Sequence, residues 1–305
     1  MSYLLFVLGL CLLIGGGELL VQSGVALAHK LKLSPLIIGI VLMGVGTSVP
    51  ELAASLNAML SAHPAPGIAF GNVIGSNISN ILFILGLAAL IHPILINKDN
   101  FRRDGAFLLL SVFMLGIIMA SGYLDSIIGI FLLLMIIGYF FICYNKEQDI
   151  ENSTNHHVKL NKSAWSLALL SIFGIVLIVY GADLLVDTAS KIADAFGISK
   201  SVMGLTLIAF GTSLPEVTVS TVAAIHKQSS IAFGNVVGSN IANILLIVGT
   251  IGVTRSTVVP DLWPSFWIMA AATAGLLVCG VIGKIPRFVG ILSLIAYCVY
   301  VYSLF

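Results

Sequence analysis

The stretch IAFGNVIGSNISNIL at residues 68 to 82 recurs as IAFGNVVGSNIANIL at residues 231 to 245, with changes only at Ile74/Val237 and Ser79/Ala242. Two mild exchanges in fifteen positions are not a by-product of apolar composition. A shorter motif precedes each copy, GTSVPE at residues 46 to 51 and GTSLPE at residues 211 to 216. Glu51 and Glu216 stand 165 residues apart and Ser76 and Ser239 stand 163 apart, so the intervening turn is two residues shorter in the second copy. The sequence reads as a tandem duplication. Each acid lies in an apolar run, where a charged carboxylate at mid-membrane costs roughly 2.5–3.5 kcal/mol on an insertion scale. An acid kept twice at such a place calls for a counter-charge.

Composition sets the class. Hydrophobic residues make up 59% of the chain and charged residues 9%, and the mean hydropathy is +1.10. Such a chain cannot build the charged surface of a soluble domain and reads as an integral membrane protein. The formal net charge of +1 says little, because in a membrane protein the placement of charges matters more than their sum. The lipid bilayer is the expected surrounding; no nucleic acid, cofactor or obligate protein partner is expected. Cys11, Cys143, Cys279 and Cys298 lie in apolar runs without metal-type spacing and read as packing or lipid-facing residues, with no disulfide framework.

At about 20 residues per crossing, spans are predicted near 3 to 28, 36 to 61, 67 to 91, 105 to 122, 124 to 144, 164 to 187, 201 to 225, 231 to 254, 264 to 283 and 285 to 305. The first run ends in VALA, which imitates a leader cleavage site. However, Glu18 interrupts that run, and Gly17-Glu18-Leu19-Leu20-Val21 recurs as Ala182-Asp183-Leu184-Leu185-Val186. The predicted fold is all-α: ten transmembrane helices as two five-helix repeats, residues 1–144 and 164–305, joined by a cytoplasmic linker at 145–163. Five crossings per copy force the second repeat to be inverted. Basic residues agree. With the N-terminus outside, eleven of the fourteen Lys and Arg, among them Lys30, Lys98, Arg102, Arg103 and Lys284, fall in inner loops, and only Lys191, Lys200 and Arg255 fall outside. By the positive-inside rule both termini lie outside the cytoplasm, in a plasma (inner) membrane.

The linker carries Lys146, Glu147, Asp149 and Glu151 and reads as a solvated connection. His156-His157 is a weak metal signal without a neighbouring carboxylate or Cys pattern, and the Asn152-Ser153-Thr154 sequon is silent in a cytoplasmic loop.

Pro50 and Pro215 cannot donate to the carbonyls of Gly46 and Gly211 four residues back. Unpaired carbonyls at membrane depth persist only where protein, water or an ion satisfies them. Thr47, Ser48, Thr212 and Ser213 add hydroxyls beside them. Ser76 and Asn80 share one helical face, as do Ser239 and Asn243, and each pair is expected to point at the Glu of its own repeat. These ligands are all oxygen, which suits hard cations such as Ca²⁺ or Na⁺. Two facing carboxylates repel when empty and are neutralised by one Ca²⁺ or by Na⁺ ions. If the site crosses only when its charge is compensated, one cation is exchanged for another.

At these residues the chain resembles the calcium/cation antiporter superfamily, in particular the sodium/calcium exchanger family in its compact prokaryotic form. The two family repeats stand here as GTSVPE with GNVIGSNISN and GTSLPE with GNVVGSNIAN. The resemblance implies that Glu51 and Glu216 are the principal Ca²⁺ ligands, that Thr47, Ser48, Thr212, Ser213, Ser76 and Ser239 contribute to Na⁺ or Ca²⁺ sites, and that backbone carbonyls near Gly44 and Ala209 complete the Na⁺ sites. It also implies that the first and sixth helices slide over the bundle. Many relatives carry Asp in one repeat at the position of Asn80 or Asn243; two Asn here speak against potassium co-transport and against proton handling there. The large calcium-sensing domains of animal exchangers have no room in this linker.

The residues leave three readings: a Na⁺/Ca²⁺ antiporter, an H⁺/Ca²⁺ or other divalent-cation antiporter, and an intramembrane di-acid hydrolase. Hydroxyl and amide ligands around the acids favour a cation cage over a proton-sharing dyad, so the chain does not read as an enzyme. A deep two-acid site also holds divalent ions too tightly for a channel. Glu18 and Asp183 either line an ion path or fix a helix by hydrogen bonds, the latter being the favoured reading. Asp187 and Asp194 are outer-end charges, and His63, His92 and His226 are interfacial.

Overall fold

A computed structural model describes residues 2–147, 162–195 and 209–304. The sequon, the His156-His157 pair, Lys159, Lys200 and most of the linker lie outside the described residues. The helices are α1 (Ser2–Leu31), α2 (Pro35–Leu60), α3 (Pro66–Ile91), α4 (Lys98–Ser121), α5 (Ser126–Glu147), α6 (Ala164–Ala195), α7 (Leu214–Ile225), α8 (Ser229–Thr254), α9 (Trp263–Ile282) and α10 (Arg287–Tyr302). A single helical turn, Ala209–Thr212, precedes α7. Eight of these helices are long and apolar enough to cross a membrane, while α7 and α10 are shorter apolar helices. Together they make an all-helical membrane protein with large aliphatic and aromatic side chains exposed along its flanks.

Burial separates centre from edge. The apolar window of α8 is 83% buried and that of α3 67%, against 33% for α1 and 28% for α6. The two halves meet in α8 and α3, which carry the two copies of the repeated stretch. α1 and α6 lie antiparallel against each other at the edge through facing glycines. A Cβ at Gly16 would come 2.9 Å from the Gly174 carbonyl oxygen, and one at Gly9 would come 3.0 Å from that of Gly181. One buried polar contact joins the same helices, Ser23 Oγ to Ser171 Oγ at 2.8 Å.

The all-α expectation misses two small ribbons. Ile94–Leu95 pairs antiparallel with Lys284–Ile285, and Tyr123–Leu124 pairs antiparallel with Thr257–Val258. Gly122 and Gly283 take φ of 70° and 91° to end α4 and α9, a conformation that glycine adopts without a Cβ clash. Each is followed directly by an extended pair whose backbone groups need partners, and each ribbon finds them in the other half of the chain.

α4 begins seven residues earlier than the predicted span, and this corrects the placement of Arg103 as a loop charge. Arg103 is buried, its Nε 2.6 Å from Asp104 Oδ1, and Tyr139 of α5 donates its hydroxyl to the same oxygen at 3.1 Å. Asp104 is fully buried, and such an acid persists when it is paired and hydrogen-bonded on several sides. Cys143 is buried in the same cluster, 4.0 Å from Asp104. Cys11 and Cys298 are exposed on the apolar flanks.

Candidate cation site

Both acid motifs interrupt their helices. Ser48 takes φ −80°, ψ 4° and Ser213 takes φ −86°, ψ −2°, so a new helical segment starts at Val49 and at Leu214 with Pro in its first turn. Proline fits there because the first-turn N–H groups have no helical partner in any case. Glu51 and Glu216 thereby fall in the first turn of a half-helix, whose N-terminal partial positive charge favours a carboxylate. Both are 1% exposed.

Hydroxyls and carbonyls gather at the first break. Thr47 Oγ1 donates to the Met43 carbonyl at 2.9 Å and Ser48 Oγ to the Gly44 carbonyl at 2.9 Å. From the other half, Ser239 Oγ donates to the same Gly44 carbonyl at 3.0 Å and lies 3.5 Å from Thr47 Oγ1. Ser48 Oγ also reaches Glu216 Oε1 at 3.4 Å. Close backbone approach makes this possible. A Cβ at Gly44 would sit 2.8 Å from the Ser239 nitrogen, and one at Gly238 would sit 2.5 Å from the Ile40 carbonyl oxygen.

The hydrogen bonds made by Ser239, Asn243 and Asn80 cross between the halves. Asn80 Nδ2 donates to Asn240 Oδ1 at 2.9 Å, and Asn243 Nδ2 donates to Asn77 Oδ1 at 3.1 Å. Asn77 and Asn240 exchange side-chain amide to backbone carbonyl bonds at 3.3 Å each. Ser79–Ile84 and Asn243–Val248 are π-helical, as is Ile38–Gly44 in α2; single π turns inside α-helices recur at functional positions.

The sequence reading missed Asn77, Asn240, Asn72 and Asn235. Asn72 Nδ2 donates to the Glu51 carbonyl at 3.1 Å and to Ser55 Oγ at 2.9 Å; Asn235 Nδ2 donates to the Glu216 carbonyl at 3.3 Å and to Ser220 Oγ at 2.9 Å. The signal was present, since all four are Asn in both copies of the repeated stretch. Ser76 and Ser213 are buried. Thr212 is half-buried and faces a cavity of about 560 Å³ that it shares with Val49, Pro50 and Asp183. Ala209 opens the turn before α7. Glu18 and His226 come together, His226 Nε2 to Glu18 Oε2 at 2.8 Å, and Gln22 also donates to Glu18.

Seven buried side-chain atoms among the described residues have no hydrogen-bond partner, and four of them are Glu51 Oε2, Glu216 Oε2, Asn80 Oδ1 and Asn243 Oδ1. All four are acceptor oxygens on paired positions of the two repeats. Buried oxygens without donors are costly unless a cation or proton satisfies them, and a set of carboxylate, amide, hydroxyl and carbonyl oxygens matches Ca²⁺ or Na⁺.

Comparison with known proteins agrees with this chemistry. The family model described as sodium/calcium exchanger protein matches residues 1–145 and 166–305. A membrane protein of Methanocaldococcus jannaschii is 41% identical over 240 residues, covering 78% of this chain and 77% of its own length. The sodium/calcium exchanger MaX1 of Methanosarcina acetivorans is 33% identical over 346 residues, covering 100% of this chain and 98% of its own. The solved structure of the sodium-calcium exchanger NCX_Mj, soaked with 2.5 mM Na⁺ and 0.1 mM Ca²⁺, aligns at a TM-score of 0.86 and 35% identity over 100% of this chain and 98% of that one. With a family model covering nearly the whole sequence and a fold shared end to end, this chain belongs to the sodium/calcium exchanger family.

Proposed function

We propose that this protein exchanges Na⁺ for Ca²⁺ across the membrane by alternating access at one mid-membrane site. The observation that carries the reading is the set of four donorless oxygens on Glu51, Glu216, Asn80 and Asn243. Ca²⁺ takes six to eight oxygen ligands. In this reading Glu51 and Glu216 are the principal ligands, and Asn80 and Asn243 offer amide oxygens. Thr47, Ser48, Ser76, Thr212, Ser213 and Ser239, with the Gly44 and Ala209 carbonyls, share the remaining Ca²⁺ and Na⁺ coordination.

Ion charge drives the coupling. Two carboxylates at membrane depth carry a formal charge that one Ca²⁺ or two Na⁺ cancels, and only a compensated site crosses between the two faces. The hydroxyls that now bond to Met43 and Gly44 keep a free lone pair for the ion. The reading uses ten transmembrane helices in two inverted repeats, 1–144 and 164–305, with a cytoplasmic linker at 145–163 and both termini outside the cytoplasm. The reciprocal Asn80–Asn240 and Asn243–Asn77 bonds support that symmetry.

Uptake of radiolabelled Ca²⁺ into proteoliposomes preloaded with Na⁺ and diluted into Na⁺ or choline tests the reading. Uptake only with an outward Na⁺ gradient, lost in Glu51→Gln and in Glu216→Gln, is the expected result. Uptake that follows a pH gradient and ignores Na⁺ replaces the coupling ion with H⁺.

A further inference from the structure

The α4–α9 pair is antiparallel, and at each end a phenylalanine ring closes onto a glycine of the facing helix. At the α9 N-terminus, Trp263 stacks on Trp267 and Phe266 meets both edge to face, with ring centroids 5.3–5.9 Å apart. Phe266 closes onto Gly116 of α4, where a Cβ would meet its ring at 3.0 Å. At the opposite end Phe101 closes onto Gly280 of α9, where a Cβ would meet its ring at 1.9 Å, and a groove is left beside that contact. A cavity of about 510 Å³ lies between the start of α4 and the end of α9, walled by Ala106, Leu109, Leu277 and Val281 and rimmed by Lys98 and Arg102. These two cations are four residues apart on α4 and therefore share a face. Lys284 follows Gly283 directly, and a Cβ on Gly283 would lie 2.8 Å from Lys98 Cε, so a third cation stands at the same end.

We propose that this cavity holds an anionic phospholipid of the surrounding bilayer, one acyl chain along the α4–α9 seam and the phosphate between Lys98 and Arg102. Two observations select this occupant. The walls are apolar and belong to membrane-crossing segments, where the bilayer supplies acyl chains at high local concentration. The rim is cationic, and basic pockets between transmembrane helices at the headgroup level take anionic lipid. Arg103, one residue along, is turned inward onto Asp104, so the two side chains on the rim contribute their charge to the headgroup. The site is separate from the acids of the cation cage and does not depend on the transport reading.

Native mass spectrometry of the full-length protein, titrated with phosphatidylglycerol or with phosphatidylcholine of matched chains, tests the proposal. Wild type is expected to retain phosphatidylglycerol preferentially. Lys98→Gln with Arg102→Gln is expected to weaken that retention about thirtyfold, each charge near the headgroup contributing about fivefold. Ala106→Trp, which fills the cavity from its wall, is expected to remove retention while leaving both charges. Lys30→Gln is the charge control. Equal weakening by Lys30→Gln, or unchanged retention in Ala106→Trp, would show ordinary surface attraction and overturn the proposal. No preference for phosphatidylglycerol in wild type would overturn it outright.

Discussion

The side-chain amide of Asn80 donates to the side-chain oxygen of Asn240 in the other half of the chain, at 2.9 Å. That bond fixes which way the Asn80 amide is turned and leaves its oxygen as the buried acceptor. If Asn80 ligates the ion as proposed, Asn240 acts on it through Asn80. Asn240→Ala is expected to lower apparent Ca²⁺ affinity by about 10- to 100-fold, the usual effect of removing a group that orients a metal ligand. Maximal uptake should fall much less. The Ca²⁺ dependence of Na⁺-driven uptake checks this, and an affinity equal to that of the parent would remove Asn240 from the site.

Glu51→Gln and Glu216→Gln are expected to separate stability from transport. Each replaces a buried carboxyl with a neutral amide, which removes mutual repulsion and the desolvation of one charge. Without ions the variants should melt at or above the parent temperature. Ca²⁺ at a hundred times its dissociation constant stabilises a protein by about 2.7 kcal/mol, and this gain should vanish in both variants. Thermal unfolding with and without Ca²⁺ reads both effects, and a Ca²⁺-induced rise retained in either variant argues against that carboxyl as a ligand.

Gly238→Ala puts a methyl 2.5 Å from the Ile40 carbonyl oxygen, a backbone atom that cannot turn aside. Overpacking of this kind costs about 1–3 kcal/mol. It also pushes Ser239 off the Gly44 carbonyl. Reduced melting temperature together with weaker Na⁺ dependence of uptake is expected, whereas Gly15→Ala, with no heavy atom within 4 Å of its Cβ, serves as the neutral comparison.

The Glu18–His226 pair is expected to matter little to stability. Both side chains are about two-fifths exposed, 40% and 41%, and pairs so open to solvent contribute at most about 1 kcal/mol. Glu18→Gln should therefore shift the melting temperature by only a few degrees. A larger loss would mean that the bilayer desolvates the pair.

Much of the site is legible in the sequence because duplication supplies its own control. Glu51 with Glu216, and Ser76 with Ser239, stand out by recurring where chance would not repeat them. Asn77 and Asn240 recur equally, yet ideal four-residue spacing directs attention to Ser76 with Asn80 and away from them. Their partners lie in the other copy, 163 residues away, and spacing within one copy cannot show a contact that forms only when the two copies pack together. Arg103 shows a second limit. An apolar-run count starts α4 after Asp104, while the structure extends the helix back through Arg103, because Asp104, adjacent in sequence, pairs with the guanidinium and is itself held by the hydroxyl of Tyr139, 35 residues further on.

The two ribbons bear on how the molecule can flex. Each joins a connection from one half to a connection from the other, Ile94–Leu95 to Lys284–Ile285 and Tyr123–Leu124 to Thr257–Val258. Rocking the halves apart as rigid blocks strains these backbone ladders, so they act as crossbars of a stiff frame. Among the described residues neither ribbon reaches α1 or α6. These two helices pack tightly on each other through facing glycines and the Ser23–Ser171 contact, outside the frame that the ribbons brace, so displacing the two together leaves both ladders intact.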